Sequence, residues 1–325
     1  MTKAIVIREH GGPEVLVLSD VDVASPGPGE ARVRQEAVGL NFIDIYFRTG
    51  LYPAPNGLPF IPGNEGAGEV VEVGEGVTHV KPGDRVAYVG PLGAYSGERL
   101  LPADRLVKVP DAIDLKVAAS MMLKGMTAEY LLRRTFPVKK GDTILFHAAA
   151  GGVGQIVGQW AKHIGATVIG TAGSEEKIAL AKECGYDHVI NYRTDDFAAR
   201  VKEITSGRGV DVVYDGVGKD TFPASLDCIR PRGMWVTFGQ SSGPIAAFDV
   251  GLLSKKGSLF ATRPTLFTYI ASREDLETSA GALFDVVGSG AVKIAVNQTY
   301  ALGDAAQAHR DLEGRKTTGT TVLIP

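Results

Sequence analysis

The run Ala148-Ala149-Ala150-Gly151-Gly152-Val153-Gly154 follows an apolar stretch, TILF, and precedes QIVGQWAKHIG. Small residues at 148, 151 and 154 fill the three positions where a dinucleotide-binding turn needs a sharp bend, a close backbone approach and a helix packed on a strand. Gly151 admits the pyrophosphate, and the amides of Gly152 and Val153 face it at the positive end of the following helix. An NAD site normally carries an acid about 20 residues further on. Thr171 stands there instead, in IGTAGSEEK. Beyond it lie Gly173, Ser174 and Lys177, the last two offering a hydroxyl and an ammonium one helical turn apart to a ribose 2′-phosphate. Tyr192 and Arg193, ending the next strand, are placed to close over it. The expected cofactor is therefore NADPH. The competing role for Lys177 is a solvated helix lysine, with Glu175 and Glu176 as first-turn acids.

That turn needs a strand before it and a helix after it, and the chain supplies the pattern repeatedly. From Asp142 onward, apolar strands such as DTILFHAAA, ATVIGTAG and GVDVVYDGVG alternate with amphipathic helices such as SEEKIALAKECG and DDFAARVKEITSG. This is the sequence form of a parallel sheet covered on both faces. The region before about residue 120 differs: short β-like runs, including ARVRQEAVGLN and GEVVEVGEGV, are punctuated by Gly and Pro. They predict a compact, mostly antiparallel barrel-like domain. Between the two, PDAIDLKVAASMMLKGMTAEYLLRRT reads as a helical bridge, with Asp111 and Asp114 as candidate caps. The closing β-like segments IAVNQTYALG and GTTVLIP return to the first domain. The fold class is α/β, with a Rossmann-type parallel sheet domain over 124–264 and a mostly β domain over 1–123 and 265–325.

Composition excludes several classes. At 325 residues, 44% hydrophobic and 22% charged, the chain suits two globular domains rather than a disordered or fibrous protein. Lys plus Arg is 34 against 37 for Asp plus Glu, and the basic doublets are scattered, so polyanion binding by bulk charge is not expected. The opening MTKAIVIREHGG alternates like a strand and lacks a signal-peptide core. Cys184 and Cys228 have no ligand-like neighbours and read as buried thiols in a reducing compartment. The expected location is the cytoplasm.

The stretch IPGNEGAGEVVEVGEGV carries a further signature. Gly63, Glu65, Gly68, Gly74 and Val77 fit the G-H-E-x-x-G-x-x-x-x-x-G-x-x-V pattern of zinc-using dehydrogenases, whereas Asn64 holds the histidine position. With the glycine turn, this resembles the zinc-free quinone oxidoreductase branch of the medium-chain dehydrogenase/reductase superfamily, over the whole chain. The resemblance implies a GroES-like first domain and no metal. One amide is a poor zinc ligand, the relatives' catalytic cysteine has no counterpart near Asn41, and the six histidines form no ligand motif.

Within VGLNFIDIYFRTGLYP, the resemblance implies Asn41 and Tyr46 as polar contacts to nicotinamide or substrate, with Tyr52 at the pocket wall. A turn residue and core aromatics are the alternatives. Asp44 is read as shaping the same hydrogen-bond network or capping a helix. FGQSSG matches the family loop beside the nicotinamide, giving Phe238, Gly239 and Ser241 as cofactor contacts. Arg263, in ATRPT, is either a partner for a quinone oxygen or an inter-domain structural residue. Arg315 and Thr127 are implied as further cofactor contacts, with Lys124 beginning the helix that carries Thr127. The implied activity is NADPH-dependent reduction of a quinone, by one hydride or two single-electron steps, since a conjugated acceptor needs no metal to stabilise an alkoxide. Enone or alkenal reduction is the close alternative. A nucleotide-binding structural or RNA-binding protein is the alternative from another class. The strand in GSLFATRP, at a sheet edge, needs cover or a partner, and the resemblance implies that two copies pair there as a homodimer.

Overall fold

The computed structural model describes all 325 residues, which divide into two compact units. The first comprises Met1–Met126, Ile270–Gly288 and Ile294–Pro325; the second comprises Thr127–Tyr269 and Ser289–Lys293.

The first unit is built on a seven-stranded sheet whose neighbours run Val296–Ala301, Thr320–Ile324, Glu30–Gly39, Glu65–Val73, Arg85–Val89 and Val107–Lys108, with Glu98–Pro102 also pairing Glu30–Gly39. All pairs are antiparallel except the first, which is parallel. Period-two alternation sends Ala31, Val33 and Ala37 inward along one long strand. Ala31 and Val33 pack there with Val70, Val86, Leu101 and Leu106. Two glycines of the signature are steric necessities. A Cβ on Gly68 would lie 2.0 Å from the Arg34 carbonyl oxygen, and one on Gly74 would lie 1.8 Å from that of Gly27. The pairing of Glu30–Gly39 with Glu65–Val73 shifts register twice beside this close approach.

The helix Leu115–Tyr130 begins where Asp114 Oδ1 accepts from the amides of Lys116 (2.8 Å) and Val117 (3.4 Å). Lys124 therefore lies well inside this helix rather than at its start. The reason is the cap: Asp114 supplies the acceptor that free first-turn amides need, and Asp111 is left exposed.

In the second unit six strands are all parallel, in the order His188–Asn191, Thr167–Ala172, Thr143–Phe146, Val210–Asp215, Ile229–Thr237, Phe260–Thr262. Every residue of Val210–Asp215 is buried, as a strand covered on both faces requires. Leu145, Ile169, Val213, Leu226 and Trp235 form its core. Strand order reverses direction between Thr143–Phe146 and Val210–Asp215, and in open parallel sheets ligands bind beyond the carboxyl ends at such a switch point. Phe260–Thr262 is an edge strand, as its sequence suggests. Cys184 and Cys228 are both buried and unbridged. No helix is long and apolar enough to cross a membrane.

Candidate active site

In the first unit the helix Phe42–Arg48 starts at Asn41, whose extended backbone (φ −139°, ψ 157°) makes it the N-cap. The sequence spacing N-F-I-D fits a capping box: the Asp44 carboxylate, three residues on, accepts from the Asn41 amide N–H at 2.9 Å. Its other oxygen accepts from the Asn64 carboxamide at 2.8 Å. The asparagine at the relatives' histidine position is thus a buried donor to Asp44.

Asp44 is fully buried and anchors a longer chain. Arg48 Nη1 lies 3.0 Å from His309 Nδ1, His309 Nε2 lies 3.1 Å from Tyr95 Oη, and Tyr95 donates to Asp44 Oδ2 at 3.1 Å. A guanidinium only donates, so His309 Nδ1 accepts and the ring proton sits on Nε2. Burial first, then the Arg48 charge, pushes the His309 pKa down to about 3, so the ring is neutral. Desolvation raises the Asp44 carboxyl to about 6 despite its three donors, and the nearby Glu65 charge adds to the rise. Arg48 is itself buried and held by both oxygens of Glu313.

Asn41 also points its side chain at the signature's acid. Its Nδ2 donates to Glu65 Oε1 at 2.7 Å, and Lys124 Nζ donates to the same oxygen at 2.9 Å. Tyr46 and Tyr52 are half-buried, and their rings pack 5.2 Å apart at 60°. The structure therefore joins Asn41 to Asp44 and Glu65, and Tyr46 to Tyr52. Arg315 is exposed, with a left-handed φ of 56° just after the helix Ala305–Glu313.

In the second unit Gly151 caps the helix Gly152–Ile164 with extended backbone (φ −75°, ψ 168°). Ala148 takes φ +60°, a left-handed turn that alanine tolerates and glycine prefers. A Cβ on Gly154 would lie 2.5 Å from the Ala149 carbonyl oxygen and 2.6 Å from that of Ala148, so only glycine fits there. The amides of Gly152 and Val153 belong to the first turn, ahead of the helix's own hydrogen-bond ladder, and carry its positive end. The backbone is thus shaped to cradle a pyrophosphate.

At the end of Thr167–Ala172, Thr171 is buried and its hydroxyl is used internally, 3.1 Å from His147 Nδ1. Ser174 caps the next helix by accepting from the Lys177 amide at 3.3 Å. Tyr192 leans over the same turn: a Cβ on Gly173 would lie 2.4 Å from its hydroxyl. Gly173, Ser174, Lys177 and Tyr192 are thereby brought together. Arg263 is exposed and tied to the loop after Ile229–Thr237, through the Thr237 hydroxyl and Gly239 carbonyl (both 3.1 Å) and Gln240 Oε1 (3.1 Å). It holds the loop carrying Phe238, Gly239 and Ser241. Phe238 packs against Phe146 with centroids 5.6 Å apart. Thr127 is buried at the start of this unit.

Sequence reasoning missed the Arg48–His309–Tyr95 chain and a second buried network, in which the Ser225 hydroxyl bridges His147 Nε2 (2.9 Å) and Asp215 Oδ2 (3.3 Å). Neither carries a local spacing signal; only Asp44, to which the first chain leads, is legible in the sequence, as a residue shaping a hydrogen-bond network or capping a helix.

Two family models match the chain: alcohol dehydrogenase GroES-like domain over residues 27–111 and zinc-binding dehydrogenase over residues 152–285. A quinone oxidoreductase of Pseudomonas aeruginosa is 53% identical over 326 residues, covering all of both chains. A 2-haloacrylate reductase of a Burkholderia species is 50% identical, covering all of this chain and 99% of the relative. Among solved structures, Escherichia coli quinone oxidoreductase complexed with NADPH matches with a TM-score of 0.97 and 48% identity, over 99% of this chain and all of that one. The second family description raises the question of zinc, and the donors here do not fit one. Asn64 turns its amide nitrogen to Asp44, Glu65 is engaged by an ammonium, and no three His, Cys, Asp or Glu side chains converge.

Proposed function

The chain belongs to the zinc-free quinone oxidoreductase branch of the medium-chain dehydrogenase/reductase superfamily, and from that premise we propose that it reduces quinones with NADPH. The observation that carries the cofactor half is the turn at Gly151–Gly154, where the third position has no room for a side chain, followed by a buried hydroxyl at Thr171 in place of a ribose-binding acid. When bound, the dinucleotide supplies a hydride, and the quinone becomes a hydroquinone by taking that hydride and one proton.

The residues have separate tasks in this reading. Gly151, Gly152 and Val153 receive the pyrophosphate. Gly173, Ser174, Lys177 and Tyr192 receive the 2′-phosphate end, while Thr127, Phe238, Gly239, Ser241 and Arg315 complete the cofactor contacts. Asn41, Tyr46, Tyr52 and Arg263 are the groups offered to the nicotinamide and the acceptor. Their contribution is positioning first and hydrogen bonding to a developing oxyanion second.

A second reading, reduction of an activated carbon–carbon double bond, is favoured by the 2-haloacrylate reductase among the relatives. Steady-state turnover on a quinone series, an alkenal series and 2-haloacrylates separates the two. Quinones are expected to give the higher kcat/KM; a preference for the alkenes would overturn the quinone assignment. A nucleotide-binding structural or RNA-binding role would be revived by retention on RNA that NADPH competes away.

The working form in this proposal is a cytosolic homodimer. Phe260 on the edge strand of the parallel sheet is 59% exposed, and an apolar edge of this kind calls for a partner. A second copy adding its own edge would supply it. Sedimentation equilibrium should return twice the chain mass of 34.3 kDa; a monomer would refute the pairing.

A further inference from the structure

The second buried network joins the carboxyl ends of three neighbouring strands of the parallel sheet, the edge at which such sheets bind ligands. His147 follows Thr143–Phe146, Thr171 lies near the end of Thr167–Ala172, and Asp215 ends Val210–Asp215; all three side chains are buried. Ser225, buried on the short helix Ala224–Asp227, closes the gap between His147 and Asp215.

Hydrogen-bond chemistry gives the network one direction. Burial pushes the His147 pKa down, against the charge of Asp215, so the ring is neutral, with one donor and one acceptor nitrogen. The Thr171 hydroxyl accepts from the Ala148 amide at 3.4 Å and has His147 Nδ1, at 3.1 Å, to receive its own hydrogen. The ring proton then sits on Nε2 and goes to Ser225 Oγ at 2.9 Å. The Ser225 hydroxyl donates onward, shared between Asp215 Oδ2 (3.3 Å) and the Thr221 carbonyl (3.1 Å).

The two ends of this chain carry two loops. At one end Ala148 opens the glycine turn in its left-handed conformation. At the other, Asp215 Oδ1 accepts from the amides of Val217 (2.9 Å) and Gly218 (3.0 Å), and the Asp215 carbonyl accepts from the Phe238 amide (2.9 Å). Residues 238–243 lie directly on 216–218. The Ser241 amide donates to the Gly216 carbonyl (3.2 Å), the Ser242 amide donates to that of Val217 (2.9 Å), and a Cβ on Gly239 would lie 2.7 Å from the Gly216 oxygen.

We propose that the His147–Ser225–Asp215 bridge positions the glycine turn and the loop 238–243 relative to each other, so that both ends of a bound dinucleotide are held at a fixed spacing by one hydrogen-bonded unit. This rests on the reading of that turn and that loop as the two ends of the cofactor site. A ligand that spans both is sensitive to the bridge; one that occupies only the turn and the 2′-phosphate end is not.

The test is isothermal titration calorimetry of wild type and S225A with NADPH and with 2′-phospho-ADP-ribose, which keeps the pyrophosphate and the 2′-phosphate but has no nicotinamide. S225A leaves the Thr171–His147 contact and the Asp215 bonds to Val217 and Gly218 in place and removes the link between them. NADPH affinity should fall about three- to tenfold, the worth of one hydrogen bond, while affinity for the fragment stays within about twofold of wild type. S225C, closer to serine in volume and only a weak hydrogen-bonding partner, should give the same contrast if S225A folds poorly. Equal losses for the two ligands, or unchanged NADPH affinity, would overturn the positioning role alone. Failure of the wild-type protein to bind NADPH and the fragment would overturn the cofactor reading and the positioning role with it.

Discussion

Replacing Asp44 with asparagine should change how the stability of the protein depends on pH. The native carboxyl is raised from its ordinary 3.8 to about 6, chiefly by burial. That shift corresponds to about 3 kcal/mol of preference for the protonated form in the folded state. The folded protein therefore holds a proton here that the unfolded chain has released, and the stabilisation, fully present below the ordinary value, is lost as pH rises through about 6. In D44N the new carboxamide oxygen still accepts from the Asn41 amide and from Tyr95, and its nitrogen can donate to Asn64 once that amide turns over. No buried polar group is orphaned, so the fold should survive. Urea unfolding followed by far-UV circular dichroism at pH 4 and pH 7.5 tests this. Wild type should lose about 2.5 kcal/mol relative to D44N between the two pH values, since part of the stabilisation is already lost at pH 4. Parallel pH profiles for the two proteins would refute the reasoning, because Asp44 would then titrate as it does in the unfolded chain.

G154A should lower the stability of the parallel-sheet unit by about 1–3 kcal/mol and weaken NADPH binding, because the new methyl meets two backbone carbonyls that cannot swing aside; unchanged melting with and without NADPH would speak against it. K177A should cost about 1.5–3 kcal/mol of NADPH affinity, the worth of a charge-assisted hydrogen bond, and leave NADH nearly unaffected in a fluorescence titration. Equal losses for both cofactors would count against a 2′-phosphate contact.

Local signals carried much of this molecule. The turn at 148–154 was legible because a strand, small residues and a helix are contiguous there. The edge strand in GSLFATRP was legible because its apolar run follows the last turn of a repeating pattern. Asn64 stood out against a spaced motif, although only the structure shows its amide bound to Asp44. What remained hidden is non-local. Tyr95 and His309 meet across 214 positions, and Lys124 reaches Glu65 across 59. Neither helical nor strand periodicity encodes which side chains share an interior. Lys124 was misplaced within its helix for a simpler reason: two aspartates precede that helix, and sequence does not say which supplies the cap.

The most direct measurement is NADPH-dependent quinone turnover before and after exhaustive dialysis against a chelator, with zinc content determined on the same samples. Turnover per subunit should be unchanged, and restoring zinc should add nothing. Activity that disappears on chelation and returns with stoichiometric zinc would contradict a site in which Asn64 holds the histidine position of the zinc-using pattern and donates to Asp44.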